Sequence, residues 1–434
     1  MGLKRCTALP PEEFRESVFG RRYLHTPAQD LAEDFADLFS PQGLEDLISG
    51  GLRTSSLRLV RDGVEGDITR GCIPESGDAP GTAPFPSTDG IRAGLKAGQT
   101  LIVRSLHRFH APIRRFAHEL AAELGHPVKV NAFVTPPNSQ GVDLHFDVQD
   151  VLVLQIAGAK RWLLRTPPLP DPLAAHAWFD VSAQRRKELQ DASQPLADLV
   201  LRAGDSLYLP RGTMHSPMTQ NELSIHLTVA VSRTTRHDLL TELVRRAVDD
   251  DWLRAGVETD QLVADPDLAR RTLREAGERL AALGRDISTD EVLWAVRKSA
   301  FHEQTPEPVP VLPVDDDACA DGVHRLRTGV YFHTACVKDD VQLSVGGRRV
   351  RLPAAVLPFL EGLRRDPVAD LTGLGAALGE SNARKVAAVL VDIGLLLPPS
   401  VSARPAGRPD GARAPSGVVP RREVVPRRES DPDN

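Results

Sequence analysis

The sequence predicts an α+β protein built around an antiparallel β barrel or double-sheet jelly roll. Three observations lead there. Residues 128–235 are a series of short strand-like runs broken by Pro and Gly, the pattern of a closed or two-layered β unit. From 236 the apolar residues recur with helical spacing. After the Pro-rich stretch "TPEPVPVLPVDDD", a hairpin-like "VQLSVGGRRVRLP" lies between two amphipathic runs, which suggests a small winged-helix-like module.

With 434 residues, two or three domains are expected. A hydrophobic content of 41% and a charged content of 26% are those of an ordinary globular protein. A net charge of −6 gives no strong nucleic-acid signal and suits a basic partner. The acidic runs Asp249–Asp251 and Asp315–Asp317 read as solvated loops. Cys6, Cys72, Cys319 and Cys336 have no CxxC spacing, so reduced thiols are expected. The N-terminus carries no apolar signal segment, and no run is long enough to span a membrane. The expected location is the cytoplasm.

Taken in order, "PEEFRESVFG", "LAEDFADLF" and "SPQGLEDLISG" read as helices, the last with Ser40 as N-cap and Pro41 at the first helical position. "SLRLVRDG" is a short strand closed by an Asp-Gly turn. Residues 72–90 read as a long Pro/Gly/Ser-rich loop. "TLIVRSL" is a strand, and "APIRRFAHELAAELG" is an amphipathic helix stopped by Gly125. The barrel strands are then "VKVNAFVTP", "VDLHFDV", "DVLVLQIAG", "KRWLLRT", "DLVLRAGDSLYLP" and "SIHLTVAVS". The tail 401–434, rich in Pro and without aromatics, should be disordered.

"VDLHFDV" carries the chemistry. In a strand, His145 and Asp147 point to one face while Leu144, Phe146 and Val148 take the other. An imidazole and a carboxylate inside a barrel need a partner, and a divalent metal would serve. His215, in "GDSLYLPRGTMHSP", is the candidate third ligand. Two His and one carboxylate form the facial triad of non-haem Fe(II) oxygenases. With 13 His in the chain, about one HxD pair is expected by chance, so a structural His–Asp pair stays open on the pair alone. Lys160 begins the following strand and could return level with the metal to bind the far carboxylate of a 2-oxoacid; a solvated turn lysine is the alternative. His226 reads as a core or supporting histidine, and His107 and His110 as contacts to solvent or backbone.

"NAFVTPPNSQGVDLHFDVQDVLVLQIAGAKRW", "GDSLYLPRGTMHSP" and "SIHLTVAV" together resemble the ribosomal-oxygenase branch of the JmjC/cupin-4 dioxygenases. The resemblance implies a double-stranded β-helix with Fe(II) on His145, Asp147 and His215. It implies 2-oxoglutarate on Lys160, O2 as co-substrate, and pocket positions at Asn131 and Ser224. It also implies a barrel domain over 1–235, a dimerisation region over 236–304, a winged-helix-like domain over 305–400 and a homodimer. The expected activity is hydroxylation of a protein side chain, with a basic ribosomal protein among the fitting substrates. Histidyl-hydroxylating members carry Tyr and Ser where this chain has Phe133 and Ala230, which argues for a different target residue. Hydroxylation of a peptide natural product, and a non-catalytic metal-binding regulatory role, are the alternatives.

Overall fold

The computed structural model describes residues 2–72, 81–301, 304, 306–309, 324–346, 348–369 and 371–398. The expected disordered tail, the Asp315–Asp317 run, Cys319 and Gly347 of the Gly-Gly turn lie outside these residues.

The first part holds strands β1 (Leu24–Thr26), β2 (Leu57–Arg61), β3 (Val64–Glu65), β4 (Thr100–Val103) and β5 (Val128–Thr135). They continue with β6 (Asp150–Ala157), β7 (Ala159–Arg165), β8 (Pro195–Arg202), β9 (Ser206–Leu209), β10 (Met214–Thr219) and β11 (Ser224–Val231). Helices α1 (Pro11–Ser17), α2 (Pro41–Ser49), α3 (Thr88–Lys96), α4 (Ala111–Leu124) and α5 (Ala183–Ala192) are set among them. The strands form two antiparallel sheets, an eight-stranded one in the order β1-β9-β6-β11-β5-β4-β2-β3 and a three-stranded one in the order β10-β7-β8. The alternation of side chains along β5, β6 and β11 divides two cores. Val128, Val130, Ala132, Val134, Leu152, Leu154, Ile225, Leu227, Val229 and Val231 pack outward with Ile113, Phe116 and Leu120 of α4. Val151, Val153, Leu207 and Leu209 face inward and meet Trp162, Leu164 and Leu201 of the smaller sheet, so the two sheets enclose an interior.

Local signals fix several elements as the sequence predicts. Ser40 accepts a hydrogen bond from the Gly43 amide at 3.1 Å, capping α2 behind Pro41. Asp62 and Gly63 have φ of 51° and 77°, the two left-handed positions of the tight turn joining β2 and β3. Gly125 stops α4 at φ 71°.

Other expectations fail. The stretch 31–39 forms turns rather than a helix; Phe35, Leu38 and Phe39 are buried from an irregular backbone. Residues 88–96, read as the end of a loop, form α3 behind the Ser87 cap. Helix α5 was not foreseen, and "DLVLRAGDSLYLP" divides into β8 and β9 at the Gly204-Asp205 turn. "VDLHFDV" is not a strand: it is irregular and holds a single bridge, His145 to His215.

The helical stretch comprises α6 (Arg236–Arg246), α7 (Asp251–Arg254), α8 (Thr259–Ala264), α9 (Pro266–Asp286) and α10 (Thr289–Ala300). Asp250, from one of the acidic runs, caps α7 through the Leu253 amide at 3.0 Å rather than standing free. The remainder has a core of its own around Val341, Leu343, Leu360, Leu390 and Leu395. It is built from β12 (His324–Leu326), β13 (Phe332–Val337), β14 (Asp340–Val345), β15 (Arg348–Pro353), α11 (Leu357–Arg365), β16 (Val368–Ala369), α12 (Thr372–Leu378), α13 (Glu380–Asp392) and β17 (Leu396–Leu397). β14 pairs on both sides, so the expected hairpin is two strands of a three-stranded sheet. Trp294 of α10 stacks on His333, and Phe301, just after α10, lies tilted on Tyr331 at 4.1 Å between centroids, joining this end of the helix to the unit. Among the described residues, no helix is long and apolar enough to cross a membrane.

Gly158, between β6 and β7, has φ 64°, and a Cβ there would run into the Leu223 carbonyl. Gly158→Ala should therefore lower the unfolding free energy by more than about 1 kcal/mol, read from denaturant titration of the parent and the variant.

Candidate active site

His145 reaches the site from the irregular segment before β6, and His215 from β10. Their backbones exchange hydrogen bonds, His215 N to His145 O at 2.7 Å and His145 N to His215 O at 3.1 Å. This single bridge brings the rings to 4.3 Å between centroids. Asp147 joins them, with Oδ2 3.6 Å from His215 Nε2. One ligand atom from each of the three side chains lies within 4.8 Å of the others. The three side chains expected to converge do so, from a segment that is not the expected strand. Phe146 does turn to the opposite side, packing edge-on against Trp178 at 5.3 Å.

Both imidazoles are oriented from behind. His145 Nδ1 donates to the Asp143 carbonyl at 2.7 Å and His215 Nδ1 to the Thr213 carbonyl at 3.0 Å. With Nδ1 carrying the proton, Nε2 keeps its lone pair for the shared centre, the arrangement of a metal-ligating histidine. Burial, then the neighbouring His215, pushes His145 down to about 4, so it stays neutral and able to ligate near neutral pH. The donor set of two imidazoles and a carboxylate fits Fe(II) or Mn(II).

The segment 210–213 holds this geometry in place. Gly212 N donates to the Asp147 carbonyl at 2.9 Å. The preceding amide, Arg211 N, donates to the carboxylate of Asp150 at 3.0 Å. Asp150 is fully buried, and its other oxygen accepts from the Tyr208 hydroxyl at 2.7 Å. Burial raises its pKa, opposed by these hydrogen bonds and by Arg233 at 3.7 Å. Gly212 has φ 85°, and a Cβ there would meet the Leu169 carbonyl at 2.8 Å.

Elsewhere in the barrel, Lys160 is 2% exposed, and its ammonium donates to Thr135 Oγ1 at 2.9 Å. It is not a turn lysine. Burial alone depresses it, to about 7, with no carboxylate acting on it. Three further buried atoms on the inward faces of β6, β7 and β11 have no hydrogen-bond partner: Gln155 Oε1, Trp162 Nε1 and His226 Nδ1. Buried polar groups are rarely left unpaired; here they fit a bound polar molecule beside Lys160. Ser224 is also buried, and its hydroxyl accepts from Gln155 Nε2 at 2.8 Å. Asn131 uses Oδ1 to accept from the Ser105 amide at 2.9 Å. Phe133 lies flat on His226, 5.0 Å between centroids at 7°, and Ala230 follows on the same inward face of β11. Thus His226 lines the interior, with Trp162 edge-on at 5.6 Å. His107 accepts from the Val130 amide and His110 bonds the Leu38 carbonyl; both serve backbone.

Thr135, Trp162 and Gln155 were missed in the sequence. Parity could have found the first two, since Thr135 lies two residues beyond Phe133 and Trp162 two beyond Lys160. Asp150 carried no signal, because its partners are remote in sequence.

Residues 106–239 match the model of the JmjC domain, and the match spans the ligand cluster, Lys160 and the whole inward face. Over these residues the chain is similar to the JmjC domain. Over 229 residues it is 34% identical to the bifunctional lysine-specific demethylase and histidyl-hydroxylase NO66 of Drosophila sechellia, covering 49% of this chain and 33% of that protein. Over 135 residues it is 36% identical to ribosomal oxygenase 2 of Mus musculus, covering 29% of this chain and 27% of that one. The chain thus spans a third or less of the length of these two relatives. Among solved structures, that of E. coli ycfD covers 90% of this chain and 98% of its own, with a TM-score of 0.54 at 19% identity. This likeness is one of fold, and it covers the helical and C-terminal parts as well as the barrel.

The clamp on segment 210–213 predicts a contrast. Asp150→Ala should weaken Mn(II) binding at least ~10-fold, whereas Tyr208→Phe should cost about 1 kcal/mol of stability and leave metal affinity within threefold. Parallel metal titrations and thermal melts separate the two effects.

Proposed function

We propose that this protein is an Fe(II)- and 2-oxoglutarate-dependent oxygenase that hydroxylates a protein side chain, with O2 as co-substrate. The observation that carries this is the pairing of a three-ligand cluster with a buried, uncompensated cation inside one barrel. His145, Asp147 and His215 would hold the metal. Bound there, Fe(II) couples oxidative decarboxylation of the 2-oxoacid to succinate with insertion of one oxygen atom into a substrate C–H bond.

The chain's own residues bind, orient and exclude water. Lys160 would pair with the distal carboxylate of 2-oxoglutarate, with Thr135 steering the ammonium. Trp162 Nε1 and His226 Nδ1 offer polar edges beside it. Asn131 and Ser224 would shape that pocket through Ser105 and Gln155. Phe133 and Ala230 would face the entering side chain with apolar surface, leaving an imidazole's nitrogens without partners. On this basis the target is an arginyl or other side chain rather than histidyl, although relatives include a histidyl-hydroxylase. A basic ribosomal protein suits the net charge of −6 and the name of the murine relative.

The proposal extends to assembly and location. Leu240, Val244 and Leu273 stand 51%, 55% and 73% exposed on α6 and α9, apolar surface suited to a homodimer through 236–304. A winged-helix-like unit over 305–400 and a cytoplasmic location complete it. Light scattering should give twice the chain mass; a monomer would remove the dimer.

Succinate release from 2-oxoglutarate, with Fe(II) and oxygen, tests the activity and separates it from a non-catalytic metal protein. His145→Ala, Asp147→Ala and His215→Ala should each abolish it and lower metal affinity. Lys160→Ala should raise the apparent KM for 2-oxoglutarate roughly ten- to a hundredfold with metal binding nearly unchanged. Unmodified protein should process histidyl ribosomal peptides poorly, and Phe133→Tyr with Ala230→Ser should improve them.

A pH dependence follows from Lys160. Its pKa is lowered to about 7 in the free protein, and an anionic ligand favours the protonated form. Below that value the ammonium is already present and binding takes up no proton. Above it, each bound 2-oxoglutarate takes up close to one proton, and affinity falls as pH rises. Calorimetry in buffers of different ionisation enthalpy should show uptake near pH 8.5 and none near pH 6.

A further inference from the structure

We infer that Phe179, with Asp143 and Asp180, forms a platform at the mouth of the barrel for a cationic segment of a polypeptide, lying beside the residue that enters. The inference rests on the oxygenase reading for its purpose, and on the following geometry for its existence.

Phe179 is 61% exposed, yet its ring lies 6.5 Å from that of His145. Its position is fixed by its neighbour. Trp178 is only 6% exposed and packs edge-on against Phe146, the residue between His145 and Asp147. Phe146 and Trp178 form one small core with Leu189 of α5 and Met214, which precedes His215. Gln190 ties the end of α5 to the Leu144 carbonyl at 2.8 Å. The insertion between β7 and β8 therefore grips the residues that carry the ligands, and holds one aromatic ring outward next to them. A ring exposed on a rigid support keeps its full surface for contact, with little ordering entropy left to lose on binding.

The cluster is open on this side. His145 and His215 are buried, while the Asp147 side chain is 38% exposed. Two exposed carboxylates stand at the rim, Asp180 directly after Phe179, and Asp143, whose carbonyl orients His145. Neither has an ion pair among the described residues. Arg211, on the 210–213 segment that holds the ligand residues, is paired with Asp171 at 2.8 Å. An aromatic face flanked by free carboxylates complements a guanidinium or ammonium, which is drawn to the ring's negative face and to the charges beside it. Because Phe179 stands outside the interior, it meets what flanks the reacting residue. The occupant is thus a chain with Arg or Lys near its target, not a free small molecule.

The test uses the full-length protein and a fluorescent peptide of repeating Gly-Arg, with a Gly-Glu peptide as counterpart, read by anisotropy. The parent should bind the cationic peptide, more weakly as salt rises, and should not bind the acidic one. Phe179→Ala should weaken binding at least tenfold, and Phe179→Trp should keep it within about twofold. Asp143→Asn with Asp180→Asn should weaken it severalfold and flatten the salt dependence. No binding by the parent, equal binding of the acidic peptide, or an unchanged affinity in Phe179→Ala would each overturn the platform. Succinate release by the parent with 2-oxoglutarate alone reports on the oxygenase reading separately. Its absence would count against that reading, while the peptide titration, which needs no turnover, would still decide the platform.

Discussion

A lysine ammonium enclosed in a β barrel with one hydroxyl for a partner is the constraint around which the site is arranged. Lys160 is 2% exposed, and burial alone brings it down to about 7. Removing an unpaired charge from water is costly, and evolution could have avoided it with any apolar residue in the run "AKRWLLR". The structure instead bonds the ammonium to Thr135 and leaves buried atoms without partners on Trp162, His226 and Gln155 of the same interior. Each of these gaps is unfavourable alone; Trp162 Nε1 and His226 Nδ1, with its proton there, can donate together with the ammonium to one bound anion, while Gln155 Oε1 accepts only from a donor. Lys160 sits opposite Thr219 on β10, four residues along that strand from His215, or about 13 Å of strand. A lysine stem and a dicarboxylate chain can fill the interval between cation and ligand cluster.

The same economy governs the three candidate ligands. Only His215 stands on a regular strand; His145 and Asp147 come from irregular backbone. A free segment of this kind would not hold ligands to the tolerance that coordination needs. It is fixed by the bridge between His145 and His215, by Gly212 bonding the Asp147 carbonyl, and by Asp150 bonding Arg211 from the buried side. Asp150 begins β6 and Tyr208 lies on β9, and Tyr208 in turn accepts from the Gly20 amide at 2.7 Å. The N-terminal segment therefore reaches the 210–213 segment through three hydrogen bonds, Gly20 to Tyr208, Tyr208 to Asp150 and Arg211 to Asp150.

Much of this was legible in the sequence, and the rest was not for identifiable reasons. Period-two alternation gave the strands 128–135, 150–157 and 224–231, because each has one face against α4 or its neighbours and one against the interior. Capping chemistry gave α2 and the end of α4. The HxD pair and the later His gave the cluster, although the segment around His145 is not a strand. Its alternating residues were satisfied instead by a small core with Trp178, Leu189 and Met214, contributed from distant positions. The same distance hid the turns at 31–39, where Phe35, Leu38 and Phe39 are apolar at spacing that suits a helix but are buried individually. Asp150 stands at the first position of β6, and nothing local marks it as the clamp of the 210–213 segment. Local pattern decides elements; the supports of a site are tertiary.

The central claim is that one barrel interior joins a metal to a 2-oxoacid. An anaerobic titration of Fe(II) and 2-oxoglutarate tests it most directly, followed by visible absorption, because a 2-oxoacid chelated to Fe(II) gives a charge-transfer band that neither component gives alone. The account predicts a band that saturates at one metal and one 2-oxoglutarate per chain, needs both, and is absent from His215→Ala. A protein that binds 2-oxoglutarate equally well without metal, or that develops no band with both present, would contradict it.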